Sequence, residues 1–143
     1  MPTRTASAKW EGGLKGGRGS YSGASGGLGG QYNFGSRFEA GTGSNPEELL
    51  AAAEASCFSM ALSSSLEKNG TPPTSIETTA HCTLEKVGDK FSITKMQLET
   101  RGNVPNIDDA TFQRFAAETA DGCIVSRALK GSVEIKVTAT LTS

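Results

Sequence analysis

Between Leu49 and Leu66 the chain reads LLAAAEASCFSMALSSSL, a run with a single charged residue, Glu54. No broad polar face exists in such a run. The pattern therefore predicts a central helix covered on most sides. Its start is written just upstream: Asn45 as N-cap, Pro46 as the first helical residue, and Glu48 three positions on as the second half of a capping box. Glu47 and Glu48 both suit the positive end of the helix dipole. Lys68, Asn69 and Gly70 supply stop signals, and Pro72 and Pro73 prevent continuation.

This helix carries Cys57, and a second cysteine, Cys123, follows a glycine much later in the chain. A thiol in such a setting is either an inert core atom or a guarded reactive one. At 143 residues the chain is expected to be one domain, residues 1–143, with a single core. A net charge of −1, from 14 basic and 15 acidic residues, gives no electrostatic footprint for nucleic acid or an anionic membrane. The N-terminus lacks a signal-like apolar core and no uninterrupted apolar run is long enough to span a bilayer, so the expected compartment is the cytoplasm. In that compartment three cysteines suggest buried thiols or redox chemistry before a structural disulfide framework.

The first forty residues alternate in short runs, such as 20–22 and 31–38, punctuated by ten glycines from Gly12 to Gly30. They read as strands joined by tight turns; no Gly-Lys-Ser/Thr element supports a phosphate loop. After the central helix, 74–87 alternates with Ile76, Thr78, Ala80, Cys82 and Leu84 on one face and His81 on the other, so the adjacent Cys and His diverge and suggest no metal site. A second strand, 90–101, follows the Gly88-Asp89 turn. Its apolar parity changes between Ile93 and Met96, which requires either a bulge near Thr94 or cover on both faces. Asp108 or Asp109 caps a helix over 110–120 with Phe112, Phe115, Ala116 and Thr119 on one face. One or two helical turns in 123–129 then precede a strand over 132–141. Strands before, between and after two helices, without βαβ alternation, indicate an α+β fold with mostly antiparallel sheets around the buried helix.

Spacing alone does not show whether Cys57 and Cys123 meet, since a disulfide needs Cα atoms within ~4.4–6.8 Å. The wording around them adds to this. AKWEG at 8–12, RFE at 37–39, GTGSNPEELLAAAEASCFSMAL at 41–62, PTSIETTA at 73–80, FSITK at 91–95 and GC-x-VS-x-x-L at 122–129 together resemble the OsmC/Ohr family, the osmotically inducible protein C and organic hydroperoxide resistance proteins, and the OsmC branch in particular. One departure is Ile124, where family members often have proline after the second cysteine.

The resemblance implies an intertwined homodimer and a thiol peroxidase. Cys57 would be the peroxidatic residue, oxidised by an organic hydroperoxide to a sulfenic acid, and Cys123 the resolving one, closing a disulfide. A dithiol, by the same resemblance a lipoylated partner protein, would reopen it; no bound cofactor and no metal are expected. Arg37, matching the family's arginine, would stabilise the Cys57 thiolate and the departing oxygen, and Glu47 would orient the guanidinium through a paired hydrogen bond. Glu47 and Cys57 are ten residues apart, ~15 Å along one helix and ~80° around it, so they cannot meet within that helix. A shared site then needs Arg37 and Glu47 from one subunit and Cys57 and Cys123 from another. Two other readings stay open: a redox sensor using the same cysteines without turnover, and a module binding a lipid-like ligand in an apolar cavity around Phe58 and Met60. The apolar setting of Cys57 favours bulky organic peroxides over hydrogen peroxide.

Overall fold

The computed structural model describes residues 1–142. The chain forms two compact units, Met1–Leu49 and a second beginning at Leu50. In the first, β1 (Ala6–Glu11), β2 (Arg18–Gly23) and β3 (Gly29–Tyr32) make an antiparallel meander in that order. The glycines here leave room for rings as well as turns. A Cβ on Gly19 would lie 2.6 Å from the Tyr32 ring and 2.8 Å from Trp10, so the Trp10–Tyr32 pair, centroids 5.6 Å apart, closes over a bare backbone.

Strand character ends at Tyr32, where 31–38 had been expected to continue. Residues Phe34–Phe38 instead form the short helix α1. Asn33 accepts from the Ser36 amide at 2.8 Å while Ser36 Oγ accepts from the Asn33 amide at 2.9 Å, a reciprocal cap that local alternation cannot reveal. Asn45 holds the start of α2 (Pro46–Lys68) as expected, accepting from the Glu48 amide at 2.7 Å. The return arm differs: the Glu48 carboxylate accepts from Ser44 Oγ at 2.9 Å, and Asn45 Nδ2 donates to the Ser36 carbonyl at 2.8 Å, tying α1 to the helix start.

In the second unit, β4 (Ser75–Val87) pairs antiparallel with β5 (Lys90–Asn103), and β6 (Glu134–Thr142) pairs parallel with β5. The parallel pairing corrects the expectation of no βαβ alternation. Two helices, α3 (Asp109–Gly122) and α4 (Ile124–Leu129), form the crossover from β5 to β6. Thr83 pairs Lys95 and Leu84 pairs Ile93, so Thr94 is the extra residue of a bulge, which turns both Ile93 and Met96 toward the buried face. Asp108 caps α3 by accepting from the Thr111 amide at 2.8 Å, and hydrogen bonding to Thr111 holds its carboxyl below its usual pKa.

Phe58, Leu62 and Leu66 of α2 pack at zero exposure with Met96, Leu98 and Phe112. By length and composition α2 could also be a membrane span, but this stripe makes it a core helix. Cover on most sides is not found in the single chain: Ala52, Ala53, Ser56, Met60 and Ser64 form an exposed, mostly apolar strip on another side. The reason is geometric, because residues spaced three and four apart on α2 face the core only once per turn. Met60 is 74% exposed while Phe58, two positions and ~200° away around the helix, is at 0%. The two therefore do not line one apolar cavity in the chain.

Gly102 of β5 lies beneath the Phe112 ring; an added Cβ would stand 2.5 Å from Cε1. Gly102→Ala is expected to destabilise the protein by about 1–3 kcal/mol, seen as a lower urea midpoint at unchanged m-value. Adding Phe112→Leu should recover part of the loss through relief of the clash.

Candidate active site

Cys57 and Cys123 come together in the second unit. Cys57 is half-buried on α2; Cys123 is 3% exposed and occupies the single extended residue between α3 and α4. Gly122 ends α3, and Cys123, at φ −67° and ψ 151°, is at once its C-cap and the N-cap of α4. As N-cap its Sγ accepts from the Ser126 amide at 3.4 Å. This position aims the thiol at α2, beside Cys57.

A residue with no assigned role in the sequence reading completes the cluster. Glu54, the lone charge of the apolar run, is one turn before Cys57 and fully buried. Its Oε1 accepts a short hydrogen bond from Ser126 Oγ and lies 3.5 Å from Cys123 Sγ, while Ser126 Oγ and Cys123 Sγ are 3.0 Å apart. Glu54 Oε2 is buried with no hydrogen-bond partner among the described residues. The available signal was the charge itself, since a carboxylate in a buried helix is rare without a dedicated partner. Ser126 gave no comparable signal.

Burial pushes the Cys123 thiol above its ordinary pKa. The Ser126 amide pulls it back, and the neighbouring Cys57 thiol and the Glu54 charge push it up again. Cys123 therefore rests protonated at neutral pH.

Arg37 and Glu47 are brought together in the first unit. Arg37 Nε and Nη2 both donate to Glu47 Oε1, at 3.2 and 3.0 Å. The expected paired bond is thus a fork onto one oxygen, and Glu47 Oε2 is buried without a hydrogen-bond partner among the described residues. The guanidinium also lies over the Phe38 ring, Cζ to centroid 5.3 Å. Cys82 points into the core side of β4, whereas His81 faces out, 3.7 Å from Glu99. Among the described residues no three His, Cys, Asp or Glu side chains gather as a metal-holding group.

Two adjacent thiols on separate helical elements, one of them wired to a buried carboxylate, define a dithiol site on an α+β scaffold. The chain belongs to the OsmC-like protein family, whose model matches residues 39–138. It is 48% identical over 129 residues, 90% of each chain, to Peroxiredoxin OsmC of Escherichia coli (strain K12). It is 30% identical over 100 residues, 68% of this chain and 69% of the relative, to Organic hydroperoxide resistance protein-like 1 of Staphylococcus epidermidis. The crystal structure of the organic hydroperoxide resistance protein OhrB of Bacillus subtilis matches the fold with a TM-score of 0.75 at 25% identity, over 96% of this chain and 98% of that one.

With Cys57→Ser and Cys82→Ser leaving Cys123 as the sole thiol, thiolate absorbance should titrate above the ordinary cysteine value. Adding Glu54→Gln should move the midpoint down. A raised folded pKa also means that this thiol's contribution to stability is intact below the unfolded value and is lost as pH rises through the folded one.

Proposed function

We propose that this chain is a peroxidase that reduces organic hydroperoxides to alcohols through Cys57 and Cys123 and is recycled by a dithiol, a lipoylated protein being the expected donor. The peroxidase class rests on the family and on 48% identity to a peroxiredoxin. The observation that carries the reading is that Cys123, at the α3–α4 junction, lies beside Cys57 of α2.

In the first step the Cys57 thiolate attacks one peroxide oxygen. The O–O bond breaks, the alkoxide leaves and takes a proton to become the alcohol, and Cys57 is left as a sulfenic acid. Cys123 then attacks that sulfur, the S–O bond breaks, and water departs as the disulfide forms. A dithiol reductant exchanges with this disulfide, returning both thiols and becoming oxidised itself.

Arg37 is proposed to hold the Cys57 thiolate and the developing alkoxide charge, with Glu47 fixing its orientation. The groove beside Arg37, about 270 Å³ and walled by Trp10, Leu14, Tyr32, Phe34 and Phe38, favours an alkyl or aryl peroxide over hydrogen peroxide. Because Glu47 and Cys57 cannot meet along one helix, the site is proposed to be shared by two subunits. The exposed strip of Ala52, Ala53, Ser56 and Met60 suits a second copy.

One equivalent of tert-butyl hydroperoxide should yield a Cys57–Cys123 bridge by mass spectrometry, with Cys82 outside it, and Cys57→Ser should abolish turnover. Mixing and refolding Arg37→Ala with Cys57→Ser protein should restore activity absent from either alone, because the mixed dimer contains one intact site. Full turnover by a monomer, or no restoration, overturns the shared site.

A further inference from the structure

We propose that Glu54 is the general base of the resolving step: acting through Ser126, it takes the proton of Cys123 as Cys123 attacks the Cys57 sulfenic sulfur, and returns it to the departing hydroxide. The inference deepens the peroxidase reading and rests on it. In balance, the S–S bond forms and the S–O bond breaks. The thiol proton passes to Ser126 Oγ while the serine proton passes to Glu54 Oε1. Glu54 then yields a proton to the hydroxide, giving water and the original carboxylate.

The direction of the hydrogen bonds carries this. A serine hydroxyl has one proton, and that of Ser126 is committed to Glu54 Oε1. Its oxygen is then the acceptor for the Cys123 S–H at 3.0 Å, so the chain runs from sulfur to hydroxyl to carboxylate. The Ser126 amide, 3.4 Å from Sγ, donates to the sulfur and steadies the thiolate as it forms. Glu54 Oε2, buried and without a partner among the described residues, keeps a second oxygen available for the proton.

The location is costly for a merely structural residue. A fully buried carboxylate with no ion-pair partner among the described residues opposes folding, and an apolar side chain would fill the helix position at lower cost. The chemistry needs a base at this point and no other. A buried, protonated thiol is a poor nucleophile, and once Cys57 is oxidised its own sulfur no longer serves as a basic acceptor. Glu54, touching Cys123 Sγ at 3.5 Å both directly and through Ser126, is the carboxylate at that sulfur.

The test separates the two chemical steps in full-length protein. After one equivalent of tert-butyl hydroperoxide, Cys57 sulfenic acid is trapped with dimedone and disulfide formation is followed by quenched-flow mass spectrometry. In Glu54→Gln, disulfide formation at neutral pH should slow by on the order of 10²-fold, far more than sulfenic acid formation. The lost rate should return as pH rises and hydroxide replaces the base. Glu54→Asp should recover part of the rate, and Ser126→Ala should be slowed less than Glu54→Gln, because the direct contact at 3.5 Å persists.

If Glu54 only repels the thiolate charge, Glu54→Gln will instead accelerate disulfide formation and lower its pH midpoint, which overturns the proposal. Equal slowing of both steps also overturns it, since that is the signature of a distorted site. Should Glu54→Gln fail to fold, the Glu54→Asp and Ser126→Ala pair decides by the same pH criterion. A wild-type protein that forms no Cys57–Cys123 bridge defeats the peroxidase reading itself and the proposal with it, and is recognised without any variant.

Discussion

The packing of Phe58, Leu62 and Leu66 against Met96, Leu98 and Phe112 is the constraint on which the second unit depends. It fixes the rotation of α2 about its own axis. With that rotation set, Glu54 and Cys57 fall on the flank next to the α3–α4 junction, and Cys123 has only one direction in which to aim its sulfur. Ser59 Oγ donating to Thr78 Oγ1 at 2.8 Å, itself 3.0 Å from Thr100 Oγ1, pins the same helix to two strands by polar contact. Apolar area alone tolerates a sliding helix. The hydroxyl chain does not, because a slip leaves buried donors unmet.

Within that frame the two thiols are treated unequally. Cys57 is half open on a helix face, whereas Cys123 is enclosed, capped by an amide and set against a carboxylate. The asymmetry arises from backbone position. A residue at the joint of two helices has its side chain surrounded by both, and the amide three positions on points back at it. The two sulfurs therefore differ in solvent access and in the groups that face them.

Much of this was readable in the sequence, for local reasons. Asn45 and Pro46 mark the helix start because capping is a matter of three or four residues. The parity break between Ile93 and Met96 announces the Thr94 bulge because strand alternation has a fixed period. Cys57, Cys123, Arg37 and Glu47 came from the resemblance of extended phrases, and the structure brings them together as two pairs, one in each unit. What escaped was non-local. The α1 cap is a reciprocal bond that looks like ordinary loop residues in a string. The parallel placement of β6 depends on a crossover no single segment encodes. The exposed strip of α2 escaped because an apolar run does not say which of its faces the chain itself will cover. Glu54 stood in plain view as the one charge of that run, but its meaning depends on Ser126, seventy-two positions away.

The bulge at Thr94 also divides the long β4–β5 hairpin into an inner and an outer half. Toward the sheet, Met96, Leu98, Thr100 and Gly102 keep an unbroken inward phase against β6, while toward the tip Val87 and Phe91 lie exposed. The extra residue absorbs any mismatch between them. Changes in the length or composition of the tip can therefore accumulate without re-registering the strand that supports the thiols, so the outer hairpin is the part of this scaffold free to diverge.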